Sequence, residues 1–342
     1  MEGKKVLFLW NIRKELRDYL YQNLSDIKDL HLEFTENVEE DFTPDSKHMK
    51  DADIMVGWRP TKELLQSAKK LKLFINPGVG VHHLIDLFKA VSATREIILI
   101  NGHGNTYFTA QHGVALLLAI MNKVIPHHYW MMEGDWRRGD DFAKTIPLRD
   151  LTVGLLGYGE VNSKIHRFLS GFTLNFAALR TSWEEKEHYP TPLQKYTPEE
   201  LHMFLERIDI MFVGVPLTRL TRNLIDREAM NVFTTDKSAL LVNISRGPVV
   251  NEKALYNSLK FQKLAGAALD VWYDYNPEPD PNGRKYPYHY PFHELENVVM
   301  SPHRAASPFD DLQRWNEVIE NIRRYCMGRT DYLNVVNLEK EY

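Results

Sequence analysis

The chain is short of several things, and each shortage closes a class of explanation. It has one cysteine, Cys326, in 342 residues, which excludes an intrachain disulfide and a cysteine-ligated zinc cluster. Its longest apolar run, residues 113–121, falls far short of the roughly 20 residues a membrane-spanning helix requires, so no membrane partner is expected. The apolar core at 6–10, bounded by Asn11 and Arg13, is too short for a secretory signal, and a cytoplasmic protein is expected. Neither sign of charge is in large excess: the formal net charge of -4 gives no general attraction to nucleic acid. His82-His83 and His127-His128 are adjacent pairs without the spacing of metal ligands, so no metal is expected. Internal repeats and low-complexity tracts are absent.

What is present is ordinary globular material, 44% hydrophobic and 26% charged, arranged with a clear rhythm. Short apolar runs at 6–10, 54–57, 71–75, 97–100, 151–156, 174–179, 208–213, 239–243, 265–269 and 297–300 alternate with amphipathic stretches. Strand, helix, strand, helix is the pattern of α/β folds with parallel sheets covered by helices. Two segments break it. Residues 106–132 form one long apolar helical stretch, and residues 274–296, rich in proline and tyrosine, form an irregular loop. One α/β unit therefore ends near Gly104, and another runs from Asn105 to about Pro302. The order of elements does not decide which unit owns the last helix, around 309–325.

Gly157-Tyr158-Gly159 follows one of these strands and precedes a helix opening with Glu160 and Val161. There the first glycine permits a tight turn, the second lets backbone approach a pyrophosphate, and the helix N-terminus attracts its charge. Asn162 stands where the third glycine of this fingerprint belongs, which predicts a helix displaced slightly outward. At the end of the next strand, 21 positions past Gly159, the chain has Arg180-Thr181-Ser182 instead of a carboxylate. A guanidinium with neighbouring hydroxyls suits a ribose 2'-phosphate, so NADP(H) is favoured, with NAD(H) as the alternative. "SPHRAASP" (301–308) sets His303 just past an apolar strand, on the side of an open sheet where ligands bind.

With "LLVNISRGPVVNEKAL" (240–255), "AALDVW" (267–272) and "ENVVMSPHRAA" (296–306) in that order, the sequence resembles the D-isomer-specific 2-hydroxyacid dehydrogenases. "INPGVGVHHLID" (75–86) resembles that family's substrate loop, and "TAQHGVALLLAI" (109–120) its crossing helix. The resemblance implies two Rossmann-like domains with parallel sheets. A cofactor domain, 105–303, is inserted into a substrate domain, 1–104 plus 304–342. It implies interconversion of a small 2-oxo acid and its D-2-hydroxy acid, with glyoxylate or hydroxypyruvate favoured. It further implies Arg246 as the clamp on carboxylate and carbonyl, His303 as the general acid/base, and Val79 and Gly80 as backbone donors to the substrate carboxylate. Asp270 would lie near the nicotinamide, with Val215, Pro216 and Ile244 lining the cofactor. Arg59 is a candidate second substrate cation. Residues 106–136 resemble the family's dimer arm, so a homodimer is expected.

The sequence also departs from that pattern. The carboxylate usual five residues after the strand-ending aspartate is Tyr275, with Asp274 and Glu278 nearby; His82 and Gln111 replace an aspartate and a glutamate. Without a carboxylate partner His303 should titrate near or below about 6.5, and Tyr275 would orient the ring without supplying charge. The same gap motivates a competing reading, a dinucleotide-sensing or scaffold protein that kept the fold and lost turnover.

Overall fold

The computed structural model describes residues 3–35, 47–137, 141, 144–184, 188–235, 238–306 and 310–342. The chain divides into two compact units, Met1–Asn105 with Pro308–Tyr342, and Thr106–Ser307.

The first unit is built on five parallel strands, β1 (Lys4–Phe8), β2 (Leu30–Phe34), β3 (Ile54–Val56), β4 (Leu73–Asn76) and β5 (Ile98–Asn101), in the order β2-β1-β3-β4-β5. Alternate residues serve opposite faces: Leu7, Met55, Phe74 and Leu99 enter one core, and Val6, Phe8, Ile54, Val56 and Ile75 the other. Burial on both faces is why these strands read as continuous apolar runs. Helices α1 (Lys14–Leu24), α2 (Lys47–Lys50), α3 (Lys62–Ser67) and α4 (Ile85–Ser92) connect them. The terminal helix, α11 (Asn316–Cys326), places Val318, Ile319 and Ile322 against Val6, Phe8 and Leu20 of this same unit. A 3-10 turn at Leu312–Trp315 leads into it; the expected start at Phe309 lies outside the described residues.

The second unit carries seven parallel strands, β6 (Thr152–Leu156), β7 (Asn175–Leu179), β8 (Gln194–Tyr196), β9 (Ile210–Val213), β10 (Leu240–Asn243), β11 (Gly266–Leu269) and β12 (Val298–Met300), in the order β12-β11-β10-β9-β6-β7-β8. The chain leaves β6 toward β7 and returns to its other side at β9, which makes the gap above β6 and β9 the switch point where open sheets bind ligands. Its helices are α5 (Thr106–Met121), α6 (Val124–Met132), α7 (Glu160–Leu169), α8 (Leu201–Arg207), α9 (Arg227–Phe233) and α10 (Glu252–Lys260).

Two features differ from the sequence expectation, and a third, the irregular segment 274–296, matches it. The stretch 106–132 is two helices, α5 and α6, bent by 63° at their junction. Lys123 adopts φ 48 there, and Pro126 falls in the first turn of α6, where its missing N–H is tolerated. Among the described residues no single helix is long and apolar enough to cross a membrane. Strands β2 and β8 went unrecognised because each is an edge strand: LHLEF has no fully buried residue and QKY is polar. Residues 274–296 are irregular apart from a 3-10 turn at Phe292–Glu294. Their aromatics pack on their own unit, with Tyr288 5.1 Å from Trp272 and Tyr290 5.3 Å from Tyr256, ring to ring.

Candidate active site

The phosphate-binding turn sits at the carboxyl end of β6. Gly157 has φ 84, and a Cβ there would come within 2.7 Å of Val215 Cγ1, so only glycine lets the β6 turn pass beneath the β9 loop. Beside Gly159 the situation is reversed: nothing stands within 4 Å of where a Cβ would be. That open cradle at the N-terminus of the ten-residue helix α7 fits the approach of a dinucleotide pyrophosphate. Asn162 is buried, and its Nδ2 donates to the Gly157 carbonyl at 2.6 Å. Space for the amide comes from Gly214, where a Cβ would collide with Asn162 Nδ2 at 2.4 Å. The small residue sits on the β9 loop instead of the helix.

Other cofactor candidates lie around this turn. Tyr158 turns its ring into the unit, its hydroxyl 2.9 Å from His166 Nδ1, while His166 Nε2 meets Thr191 Oγ1 at 2.8 Å. His166 is fully buried, and burial pushes its pKa down to about 4. Glu160 is exposed and paired with Lys164; Val161 packs against the core. At the end of β7, the Arg180 N–H donates to the Tyr196 carbonyl and its guanidinium lies 5.9 Å from the Trp183 ring, with Thr181 and Ser182 exposed. Lys195, on the unrecognised strand β8, stands 5.3 Å from the same ring. Val215 is half-buried and Pro216 exposed above β9, and Ile244 is buried beyond β10.

The acid/base candidates converge on the neighbouring strand ends. Asn243, ending β10, accepts from the Ser245 N–H and donates to the Arg246 carbonyl, shaping the turn that presents Arg246. Arg246 is half-buried, and loss of hydration holds its guanidinium pKa below the ordinary value. Gly247 follows because a Cβ there would meet the Trp272 carbonyl at 2.2 Å. Tyr275 lies edge-on to His303, ring centroids 5.3 Å apart, and its hydroxyl accepts from the Trp272 N–H. Asp274 accepts from the Asn276 N–H in a local turn, so of Asp274, Tyr275 and Glu278 the tyrosine is the one against the histidine.

His303 itself adopts φ 56, a left-handed conformation uncommon for a residue with a side chain. Its imidazole pKa lies below the usual histidine value, first through lost hydration and then through Arg246, with Asp270 acting in the opposite direction. Asp270 is fully buried. Its carboxylate accepts from the Ser301 hydroxyl at 2.5 Å, the Arg304 N–H at 2.7 Å and the Ala305 N–H at 2.9 Å, with His112 Nε2 at 3.4 Å. Asp270, which the resemblance implies lies near the nicotinamide, has its oxygens bonded to the loop that carries His303. His112 was missed as a functional candidate because nothing local in "TAQHG" connects it to residues 270 and 301.

In the first unit, the loop after β4 is organised by two asparagines. Asn76 Nδ2 donates to the carbonyls of Gly78 at 2.5 Å and Gly80 at 3.4 Å, and Asn101 Nδ2 to that of Val79 at 2.7 Å. The loop carbonyls are thereby occupied, while the N–H groups of Gly78, Val79 and Gly80 donate to no acceptor among the described residues. Free amides of this kind suit an anionic ligand. Arg59 is exposed beyond β3, and His83 Nε2 lies 2.8 Å from the Trp58 carbonyl. Among the described residues no group of three metal-ligating side chains is present.

A D-3-phosphoglycerate dehydrogenase from Archaeoglobus fulgidus is 34% identical over 248 residues, which cover 72% of this chain and 43% of that protein. The chain thus spans about half the length of the phosphoglycerate dehydrogenases it matches, 43% and 52% of the two. A glyoxylate reductase from Korarchaeum cryptofilum is 32% identical over 308 residues, 86% of this chain and 85% of that one. In fold, the chain is similar to an NADPH-dependent glyoxylate/hydroxypyruvate reductase from Sinorhizobium meliloti in complex with NADP and sulfate. That match has TM-score 0.78 and 20% identity, covering 99% of this chain and all of the other. Residues 114–305 match the model of the D-isomer specific 2-hydroxyacid dehydrogenase NAD-binding domain, and with relatives above 30% identity along most of its length the chain belongs to that family.

Proposed function

We propose that the protein is an NADP(H)-dependent reductase of a small 2-oxo acid, with glyoxylate or hydroxypyruvate as substrate. The observation that carries this reading is the convergence of Arg246, Tyr275 and His303 at the carboxyl ends of β10, β11 and β12, in the same sheet as the Gly157–Gly159 turn. A bound nicotinamide would supply the hydride. Backbone at Gly157 and Gly159 and the α7 N-terminus hold its pyrophosphate, and Arg180 with Thr181 and Ser182 reads the 2'-phosphate. Arg246 grips the oxo acid through its planar fork of donors and stabilises negative charge developing on the carbonyl oxygen. His303, in its protonated form, delivers a proton to that oxygen. Within the first unit, the amides of Val79 and Gly80 and the cation of Arg59 are groups that suit a carboxylate.

Absorbance at the reduced-nicotinamide band tests this, with purified protein offered glyoxylate, hydroxypyruvate and pyruvate, each with NADPH and NADH. Faster oxidation of NADPH supports both the reaction and the role of Arg180. Binding of cofactor without turnover on any oxo acid would favour the sensing or scaffold reading, which the tyrosine at position 275 motivates. The assembly we propose is a homodimer in the cytoplasm. Helix α6 has no buried residue, and Tyr129, Met132 and Trp136 are 61%, 70% and 69% exposed, an apolar surface of the kind subunit interfaces cover. Light scattering that returns a monomer mass at micromolar concentration would contradict it.

A further inference from the structure

We propose that His112 is a positioning residue that acts through Ser301 and Asp270 to hold His303 in its working place; the inference rests on His303 being the proton donor. His112 projects from α5, distant in sequence from the strand ends of the site. Its Nε2 lies 3.0 Å from Ser301 Oγ and 3.4 Å from Asp270 Oδ1. The serine hydroxyl already gives its proton to Asp270, so its oxygen accepts and His112 Nε2 carries the hydrogen. The direction of the chain is therefore set: imidazole N–H to hydroxyl, hydroxyl to carboxylate.

Asp270 is where this chain meets the catalytic loop. A carboxylate with no exposure is costly unless donors surround it, and here they come from Ser301, from the Arg304 and Ala305 backbone, and from His112. Two of those donors are the N–H groups immediately following His303. Their bonds to one fixed carboxylate keep the loop in the turn that gives His303 its φ of 56. Weakening the cage at its His112 end loosens the backbone at the acid.

The cage also bears on charge. The groups facing His303 are Arg246 from the turn after β10, Tyr275 from the loop after β11, and Asp270 from the end of β11. Arg246 disfavours the imidazolium and Tyr275 brings no charge, so Asp270 is the carboxylate among the described residues whose charge favours it. With an uncharged tyrosine against the ring, support for the protonated form passes to a carboxylate kept ionised by donors, and His112 is one of them.

The test follows His303 directly by NMR titration of histidine-labelled protein, alongside pH profiles of kcat, in the parent and in His112→Leu and His112→Gln. Loss of the N–H donor in His112→Leu is expected to move the His303 midpoint down by about half a unit or more. It should also lower kcat at neutral pH by about tenfold, the scale of one hydrogen bond to a charged group, with cofactor KM little changed. His112→Gln, which keeps an N–H, restores most of both. Should His112→Leu fold poorly, Ser301→Ala breaks the same chain one link later and is expected to act alike. An unmoved His303 midpoint with parental kcat overturns the proposal, as does a defect confined to cofactor KM or a Gln variant no better than Leu. His303→Asn separates the two levels: if that variant keeps full turnover, the proton-donor reading fails first.

Discussion

His166 offers a prediction whose size can be worked out in advance. It is fully buried beneath the phosphate-binding turn, and its pKa is pushed down to about 4, against about 6.5 in an unfolded chain. The folded state thus refuses a proton that the unfolded chain accepts. Its contribution to stability is complete above pH 6.5 and is lost as pH falls toward 4. At about 1.4 kcal/mol per pH unit, the loss between pH 7.5 and pH 5 is about 2 kcal/mol. Other groups titrate in this range, so the quantity to measure is a difference from His166→Gln, whose amide can meet Tyr158 and Thr191 without titrating. At pH 7.5 the variant should be less stable by about 1 kcal/mol for imperfect hydrogen bonds; at pH 5 the gap should close or reverse. Urea denaturation at both pH values, with hydrogen exchange of the α7 amides as a local reading, provides the data. A gap that stays constant from pH 7.5 to pH 5 would refute the argument that burial keeps this imidazole neutral.

The remaining predictions concern the site. With Arg246 and lost hydration both lowering the His303 pKa, oxo-acid reduction should rise as pH falls below the ordinary histidine range, since protonated His303 is the donor. Tyr275→Glu adds a negative charge against the ring and should shift that profile upward; an unchanged profile would remove Tyr275 from the mechanism. Gly159→Ala meets no atom within 4 Å, so thermal unfolding should be nearly unchanged while cofactor affinity falls, measured by fluorescence titration. Equal affinity would mean that pyrophosphate does not approach there. Arg180→Asp should weaken NADPH binding by about tenfold or more and leave NADH binding little affected; equal losses for both cofactors would exclude 2'-phosphate recognition.

Much of this protein was legible in the order of its residues. Parallel strands buried on both faces, such as Thr152–Leu156 and Leu240–Asn243, must be continuous apolar runs, so the α/β class and the positions of Gly157, Arg246 and His303 at strand ends followed from sequence. Edge strands β2 and β8 carry no such obligation and left no such mark. The long apolar stretch hid its break because a proline three residues into α6 is tolerated in a first turn, and the bend depends on Lys123 adopting φ 48.

What only the tertiary structure decided are relations between residues far apart in the chain. Asn162 is accommodated because Gly214 leaves room for it; Asp270 is committed to the His303 loop; His112 reaches both Ser301 and Asp270 from α5. Sequence determines which residues end strands, because strand ends are set by local periodicity and turn chemistry. Which buried donor satisfies which buried acceptor is set by packing between elements, and that becomes visible only when the chain is folded.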